Sequence, residues 1–312
     1  MRIMITGCNG VVGTELMAQL QAVGHEVCGV DLAHNEYSVP FHPNLYGSGN
    51  YVRADVADAR QLHRAIAMFQ PTLIYHAAAE FGRWNGQDYY EQLWKSNCIG
   101  TRNMLELQQQ FGFRCVYFSS SEVYGDSQSV MDEPSAMGCE QMNDYAISKW
   151  ANELQVRSTP GVEGLAYIVR LFNTYGPGEY YTPYRSVACR FIYRLLHGQP
   201  IRVSRGHSRA HTWLPDCCRA LTNFCDSDAL RHTEYNIGTT NSHTIEQLAE
   251  FCVQYTGANP DLVQIVDGEA MTTRMKKVDN ARAVQDLAFQ ESTPLERGVQ
   301  ETVDWMRQVY DV

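Results

Sequence analysis

The sequence predicts an α/β protein built on a doubly wound parallel sheet, with a smaller C-terminal lobe. Short apolar runs alternate with amphipathic helical patterns through the first half of the 312-residue chain, an order typical of a parallel sheet covered by helices. After Leu171 this alternation stops, and segments rich in Gly, Pro, Tyr and Arg separate shorter elements. We therefore expect a sheet domain over residues 1–171, to which parts of 205–232 return, and a lobe formed mainly by residues 172–312.

Six strands and four helices account for the sheet domain. The expected strands are Arg2–Thr6, Glu26–Asp31, Tyr51–Arg53, Leu73–His76, Cys115–Ser119 and Leu165–Arg170. The expected helices are Val11–Val23, Asp58–Phe69, Leu93–Phe111 and Asp144–Thr159. Six strands in this rhythm predict a doubly wound sheet. A last helix, Leu295 to Tyr310, has apolar residues at helical spacing and is expected to pack into the core.

The composition is that of a globular protein that binds neither membranes nor nucleic acids. Hydrophobic residues make up 44% and charged residues 19%, and no run approaches the roughly 18 apolar residues of a membrane span. A formal charge of −10 disfavours a nucleic-acid partner, so an anionic ligand needs locally placed Arg or Lys side chains. The ten cysteines lack metal-ligand spacing, which predicts reduced thiols and no metal site. The N-terminus begins with a strand pattern and shows no export signal, so we expect a cytoplasmic protein.

The clearest binding motif is TGCNGVVG at residues 6–13, between the first strand and the first helix. Glycines at this spacing allow a tight turn, a close approach of the backbone to a pyrophosphate, and packing of the helix on the sheet. The N–H groups at the start of the helix bind the anion. The order of strand, glycine loop and helix predicts a dinucleotide site rather than a structural turn. The residues expected to contact the dinucleotide here are Gly7, Asn9, Gly10, Val11, Val12 and Gly13.

Asp31, at the end of the second strand, is expected to bind the ribose of an adenosine. A carboxylate there accepts hydrogen bonds from both ribose hydroxyls and repels a 2′-phosphate, which predicts NAD rather than NADP, although nearby His34 would weaken the repulsion. Asp55 and Val56 follow the third strand. They would bracket the edge of the adenine, or else provide the N-cap of the helix that begins at Asp58.

Small residues follow the fourth strand, where residues 76–79 read HAAA. Ala77 and Ala78 would let a flat cofactor lie close to the sheet. His76 is expected to be a packed residue at the strand end.

Tyr145 and Lys149 form a candidate catalytic pair. They lie four residues apart on an expected helix, so both project from one face. A neighbouring positive charge favours the phenolate, which would make Tyr145 a usable base near neutral pH. Ser120 lies at the C-terminal end of the fifth strand, where open α/β sheets bind their ligands. The sequence therefore predicts that Ser120 and Tyr145 hydrogen-bond the same substrate oxygen.

Together these motifs resemble the extended short-chain dehydrogenases/reductases that act on nucleotide sugars, the NAD-dependent epimerase/dehydratase family. The matching segments run in order from residue 6 to residue 178, and a weaker match continues through RGHSRAHTWLPD. They are TGCNGVVG, Asp31, Asp55 with Val56, HAAA, Asn97 within SNCIGT, SSSEVYG, Tyr145 to Lys149, and LFNTYGPG. The resemblance implies a Rossmann fold with a substrate-binding lobe, NAD as cofactor, and a nucleotide-diphosphate sugar as substrate.

The resemblance also implies a role for each matched residue. Tyr145 would take the proton of the sugar C4 hydroxyl as hydride passes from C4 to NAD, which forms a 4-keto sugar. Ser120 would orient that hydroxyl. Lys149 would hold the nicotinamide ribose and lower the pKa of Tyr145. Asn97 would support the cofactor site from the neighbouring helix.

Glu122, two residues after Ser120, bears on the fate of the ketone. A C4 ketone acidifies C5–H, so Glu122 would serve as base or acid in loss of the C6 hydroxyl, or would assist loss of a C5 carboxylate as carbon dioxide. The Ser-Ser-Glu string resembles mannose-type 4,6-dehydratases and hexuronate decarboxylases, whereas Ser121 departs from the Asp-Glu of glucose-type 4,6-dehydratases. The alternatives are a 4-epimerase, a non-catalytic NAD-binding protein and an NADPH-consuming reductase.

Several residues are expected to bind the substrate. By the resemblance, Asn173 belongs to a diphosphate loop, and Arg209 and Arg274 are placed like phosphate-binding arginines. Two loops, residues 80–86 and 179–185, would form the sugar pocket and base clamp, or would only close a hydrophobic cluster. The remaining candidates are Ser121, Arg83 and Arg185. The cations available to a uronate are Arg83, Arg185 and Arg209.

The resemblance extends to quaternary structure. The expected helices Leu93–Phe111 and Asp144–Thr159 are similar to those that pair into a four-helix dimer interface in the family. We therefore expect a homodimer.

Overall fold

A parallel sheet forms the centre of the computed structural model, which describes residues 1–32, 50–127, 129–268 and 271–312. The strands in these ranges are β1 (Arg2–Thr6), β2 (Glu26–Asp31), β3 (Tyr51–Arg53), β4 (Leu73–His76), β5 (Arg114–Ser120), β6 (Ala166–Leu171), β7 (Ile201–Ser204), β8 (Ser208–Arg209), β9 (Glu234–Ile237), β10 (His243–Thr244) and β11 (Val263–Val266). Seven of them pair in the order β3-β2-β1-β4-β5-β6-β9. The doubly wound sheet is therefore confirmed, with its order reversing between β1 and β4.

The six expected strands are present with bounds that agree within one residue. The seventh, β9, was not predicted; it pairs in parallel with β6 and extends the sheet beyond the first domain's sequence. Two smaller pairs, β10 with β8 and β11 with β7, lie outside the central sheet. His34 lies outside the described residues.

Eleven α-helices occur in the described part of the chain. They are α1 (Val11–Ala22), α2 (Ala59–Phe69), α3 (Arg83–Asp88), α4 (Tyr90–Trp94), α5 (Gly100–Phe111), α6 (Asp144–Ser158), α7 (Val187–Leu196), α8 (Leu214–Thr222), α9 (Ile245–Thr256), α10 (Ala281–Leu287) and α11 (Leu295–Tyr310). A 3₁₀ turn, Ser121–Tyr124, directly follows β5. The expectation of one regular helix over Leu93–Phe111 is wrong, because the π-helix Lys95–Ile99 separates α4 from α5.

Two hydrophobic layers cover the sheet. Successive residues of a strand point to opposite faces, so Ile3 and Ile5 of β1 pack in one layer and Met4 packs in the other. The first layer contains α1 and α8, and the second contains α2 and α5. α8 packs against α1, so the chain returns to the sheet domain after it has entered the second lobe.

The second lobe has its own core, built from α7, α9 and α11 around β7. In α11, Leu295, Val299, Val303 and Met306 are buried, as the helical spacing predicted. None of the described helices has the length and apolar character needed to cross a membrane.

A substitution at Gly7 tests the close packing at the end of β1. Its φ is +72°, and a Cβ placed on it would lie 2.7 Å from the Ala78 nitrogen. Gly7→Ala should lower the free energy of unfolding by about 2–4 kcal/mol, because overpacking adds to the cost of a positive φ. The matched control is Gly24→Ala, where φ is +85° but no atom lies within 4 Å, so only about 1–2 kcal/mol should be lost. Urea unfolding measures both; equal losses would contradict the packing argument.

Candidate active site

A cleft of about 980 Å³ lies at the carboxyl ends of the central strands and between the two lobes. Twenty of the twenty-two predicted site residues line it. From the cofactor set these are Gly7, Asn9, Gly10, Val11, Val12, Gly13, Asp31, Asp55, Val56, Ala77, Ala78, Tyr145 and Lys149. The others are Ser120, Ser121, Glu122, Arg83, Asn173, Arg185 and Arg209. Asn97 and Arg274 do not line the cleft.

The glycine turn has the close packing that a dinucleotide site requires. A Cβ on Gly13 would lie 2.3 Å from the Gly7 carbonyl oxygen, so only glycine permits this approach of α1 to β1. Gly10 precedes α1 and makes no side-chain capping hydrogen bond, and no acidic residue occupies the first turn. This end of α1 therefore offers its N–H groups to an anion in the cleft.

Asp31 is fixed at the edge of the cleft. Its Oδ2 accepts a hydrogen bond from the Asn9 N–H at 2.9 Å, and its Oδ1 accepts one from the Leu32 N–H at 2.8 Å. These bonds orient the carboxylate beside the glycine turn. A carboxylate in this position fits the ribose of an adenosine, as expected for a residue that would hold NAD.

Asp55 does not cap the following helix. Asp58 is the N-cap of α2, since its carboxylate accepts from the N–H groups of Arg60 and Gln61. Asp55 Oδ1 instead accepts from the Ala57 N–H at 2.8 Å, within the turn. Asp55 is therefore not the N-cap of this helix, and it lines the cleft.

His76 is a packed residue, as expected. Its Nδ1 hydrogen-bonds Thr6 Oγ1 at 2.9 Å. Burial, reinforced by the charge of Lys149, lowers the pKa of His76 to about 3, so the imidazole is neutral.

Ser120, Tyr145 and Lys149 meet in the cleft. Ser120 is the last residue of β5, and its side chain lines the cleft together with that of Tyr145. Tyr145 lies in the first turn of α6, which Asn143 caps by accepting a hydrogen bond from the Ala146 N–H at 2.9 Å. Lys149, one turn later, donates to the Phe118 carbonyl at 2.9 Å, and its Nζ lies 5.9 Å from the centre of the Tyr145 ring.

The pKa of Tyr145 is raised in the chain by itself, and the lowering expected from Lys149 stays a prediction. Burial raises the pKa of Tyr145 well above 10; the hydrogen bond from Ser120 opposes this rise, and the charge of Glu122 adds to it. Burial also lowers the pKa of Lys149 to about 8. The isolated protein therefore holds Tyr145 as a phenol, because desolvation outweighs the ammonium that the sequence places nearby.

Lys276 belongs to the site and was not predicted. Its Nζ donates to Glu122 Oε1 at 2.6 Å and to Ser121 Oγ at 2.7 Å, and its side chain is fully buried. Burial raises the pKa of Glu122, but the Lys276 ammonium outweighs it and brings the pKa down to about 2. Glu122 is therefore a carboxylate near neutral pH, although burial also lowers the pKa of its partner Lys276.

Contacts to the turn after β5 bring Lys276 into the site from far along the chain. Met131 N–H donates to the Lys277 carbonyl at 2.7 Å, and Thr273 Oγ1 donates to the Gly125 carbonyl at 2.7 Å. These contacts join segments about 150 residues apart, which no spacing in the sequence indicates. The adjacent pair Lys276 and Lys277 was the only available signal.

Asn97 and Arg274 act through other contacts. Asn97, in the π-helix, accepts from the Glu80 N–H at 2.9 Å and donates to Ser148 Oγ at 2.9 Å, so it ties the cleft-lining loop to α6. Arg274 contributes its backbone, whose N–H donates to Asp126 Oδ1 at 2.7 Å and whose carbonyl accepts from Arg209 at 3.3 Å. The side chain of Asn97 supports the site, whereas that of Arg274 stays outside it.

Polar groups of the second lobe face the same cleft. Arg209 donates to Thr272 Oγ1 at 3.0 Å, which holds its guanidinium at the cleft wall. Asn173 has φ +42°, and its Oδ1 is buried without a hydrogen-bond partner among the described residues. A buried unsatisfied polar atom in a cleft favours a bound ligand there.

The two aromatic loops line the cleft and also close hydrophobic clusters. Tyr181 stacks on Tyr193 with ring centres 3.8 Å apart, so the second loop packs on the second lobe. Arg185 lies over the Phe81 ring at 5.3 Å and thereby joins the two loops across the cleft. Arg83 lies over its neighbour Trp84 at 4.6 Å. The contacts therefore support the hydrophobic-cluster interpretation, and the role as sugar pocket and base clamp stays a prediction.

Comparison with known proteins places this site among enzymes of nucleotide-sugar metabolism. The model of the NAD dependent epimerase/dehydratase family matches residues 3–238. A UDP-N-acetyl-alpha-D-glucosaminuronate decarboxylase of Bacillus cytotoxicus is 26% identical over 99% of this chain and 98% of its own. UDP-glucuronic acid decarboxylase 1 of Xenopus tropicalis is 28% identical over 98% of this chain and 72% of its own. The structure of Thermus thermophilus UDP-glucose 4-epimerase with NAD has a TM-score of 0.86 at 24% identity, covering 98% of this chain and 99% of that one.

The charge state of Glu122 provides a test of the site. In Lys276→Met the half-buried carboxylate of Glu122 loses its ammonium partner, so its pKa should rise from about 2 by roughly 3–5 units. A folded-state pKa raised above the ordinary 4.5 makes the variant lose stability as pH rises from about 5 to about 7, because the folded protein must then bury an uncompensated charge. The control is Lys277→Met, which removes the same charge from the exposed neighbouring residue. Thermal unfolding against pH measures both, and parallel curves would contradict the assignment.

Proposed function

The chain belongs to the NAD dependent epimerase/dehydratase family, and we propose that it oxidises C4 of a nucleotide-linked hexuronic acid and then releases C6 as carbon dioxide. It is an enzyme that uses NAD and modifies a nucleotide sugar. The observation that carries the finer assignment is the ion pair of Lys276 and Glu122 next to Ser120 and Tyr145. The decarboxylase relatives, which match nearly the whole chain, support it.

The residues that would hold NAD are those of the glycine turn, Asp31 and Lys149. Bound NAD would accept hydride from the sugar C4, return it after decarboxylation, and bring a positive charge that favours phenolate. Asp31 would accept hydrogen bonds from the adenosine ribose. The N–H groups at the start of α1 would bind the pyrophosphate.

Tyr145 and Ser120 would act on the C4 hydroxyl. Both side chains line the same cleft, so one substrate oxygen would contact both. Tyr145 takes the hydroxyl proton as the C4–H bond breaks, and Ser120 orients the oxygen. The same group returns the proton to C4–O when the ketone is reduced at the end.

Loss of carbon dioxide then requires no acid from the protein. In a 4-keto hexuronate, C6 is the carboxylate of a β-keto acid, so the C5–C6 electron pair moves toward the C4 carbonyl as carbon dioxide leaves. Ser120 and Tyr145 would stabilise the enolate oxygen that forms at C4. C5 then takes a proton from water, and reduction of the C4 ketone completes a nucleotide-linked pentose.

Elimination of water fits this site less well. Expulsion of a C6 hydroxyl needs a proton donor, and Glu122, with a pKa of about 2, holds no proton to give. The carboxylate is instead the counter-ion that keeps Lys276 in the cleft. The cleft-lining Arg185 and Arg209 would attract a uronate, which carries a charge that neutral hexoses lack.

The mass of the product distinguishes the possible reactions. We expect the NAD-loaded protein to convert UDP-glucuronic acid or UDP-N-acetylglucosaminuronic acid with loss of carbon dioxide, and to leave UDP-glucose, GDP-mannose and dTDP-glucose unchanged in mass. Loss of water from a neutral sugar would make it a dehydratase. An unchanged mass with inverted C4 would make it an epimerase. Binding of NAD without any turnover would make it a non-catalytic protein.

Tyr145→Phe tests the proton transfer. Removing the phenol hydroxyl should lower turnover of the uronate by about 10²–10⁴-fold, because no other group replaces it as base. Tyr255→Phe is the matched control, since that hydroxyl donates to Glu296 Oε1 at an exposed position and Tyr255 does not line the cleft. Turnover equal to that of the parent in Tyr145→Phe would refute the assigned role.

We also propose that the protein is a homodimer paired through α5, α6 and the π-helix. Ile99, Ile147 and Leu154 are large apolar residues that lie exposed on these elements, and exposed apolar surface favours a protein partner. Sedimentation measures this directly. A monomer at micromolar concentration would contradict it.

A further inference from the structure

One buried arginine joins the elements that carry the reactive groups. Arg170, in β6, is fully buried, and its guanidinium donates five hydrogen bonds. Two reach Glu153 of α6 at 2.8 and 2.7 Å, and one reaches Glu234 of β9 at 3.0 Å. The other two reach Tyr124 Oη at 2.8 Å and the Glu133 carbonyl at 3.0 Å. All five donors of the guanidinium fork are therefore used.

Glu153 extends these contacts to the catalytic strand. It lies one turn after Lys149 on α6 and is almost fully buried. Its Oε1 also accepts a hydrogen bond from Ser119 Oγ at 2.5 Å, and Ser119 directly precedes Ser120. The helix of Tyr145 is thus bonded to the strand of Ser120 through a carboxylate that Arg170 orients.

Tyr124 connects the same arginine to the turn that carries Glu122. This residue ends the 3₁₀ turn Ser121–Tyr124, and its ring also lies 5.2 Å from the guanidinium carbon. Tyr124 Oη donates in turn to Asn236 Oδ1 at 2.8 Å, in β9. Arg170 therefore contacts three elements, α6, the turn after β5, and β9, while it does not itself line the cleft.

We infer that Arg170 is a positioning residue, which sets the distance between Tyr145 and Ser120 without touching substrate or cofactor. A buried ion pair is weak as a source of stability, since well-packed apolar residues often replace one at no loss. The five directional bonds of Arg170 instead fix the orientation of the groups that they contact. A planar guanidinium does this better than the point charge of an ammonium. Proton transfer depends on such geometry, because a displacement of about 1 Å can cost about 100-fold in rate.

The inference rests on the proposed role of Tyr145 and Ser120 at C4, and Arg170→Lys tests it. Lysine keeps the positive charge but cannot contact all the acceptors. We expect kcat to fall by about 100-fold, while KM for the nucleotide sugar and Kd for NAD stay within about twofold of the parent. The matched control is Arg157→Lys. Arg157 bonds the same two carboxylates, Glu153 and Glu234, from the partly exposed side, so its kcat should stay within about twofold.

The outcomes separate the inference from the proposed function. A parent protein that turns over no nucleotide sugar defeats the proposed function, whatever the variants do. An active parent with an unchanged kcat in Arg170→Lys overturns the inference, and so does an equal loss in Arg157→Lys. If Arg170→Lys does not fold, Tyr124→Phe decides, because it removes one of the five guanidinium bonds, together with the bond from Tyr124 to Asn236, and leaves the other four in place. In that variant a kcat lowered by about 3–10-fold at unchanged KM supports the positioning role, and a parental kcat overturns it.

Discussion

Parallel pairing of β1, β4 and β5 determines where the reactive groups lie. Parallel strands end at the same edge of a sheet, so residues that follow three separate strands come together there although the chain separates them widely. Gly7, Ala78 and Ser120 reach the cleft for this reason. The approach of the glycine turn to β4 leaves no space for side chains, and it opens one wall of the cleft to a flat ligand.

The sequence predicted the parts of the fold that rest on local patterns. Six strands, the turn at residues 6–13 and the helix of Tyr145 each have a periodicity or a motif within a single short window. β9 has only four residues and follows the second lobe, so nothing local indicates that it joins the first sheet. Asn97, in the π-helix, makes tertiary contacts with Glu80 and Ser148, which no local pattern of the sequence indicates.

The electrostatics of the site could not be predicted in the same way. The sequence places Lys149 near Tyr145 but does not indicate how deeply both are buried, and burial determines the direction in which the pKa of Tyr145 moves. Lys276 reaches Glu122 across 154 positions. A carboxylate that looks like an acid or a base in the sequence becomes a fixed negative charge once this partner is known. Tyr145, Lys149 and Glu122 were visible in the sequence, whereas Lys276 and the protonation states of these groups required the three-dimensional contacts.

The position of β9 and α8 has a consequence for how the protein can be divided. Both follow segments of the second lobe, yet β9 covers the edge of β6 and α8 packs on α1. A fragment that ends at residue 171 would expose an unpaired strand edge and an apolar helix face, which are the features that promote aggregation. The two lobes are therefore interlocked in sequence as well as in space, and neither can be separated from the other by a single cut of the polypeptide.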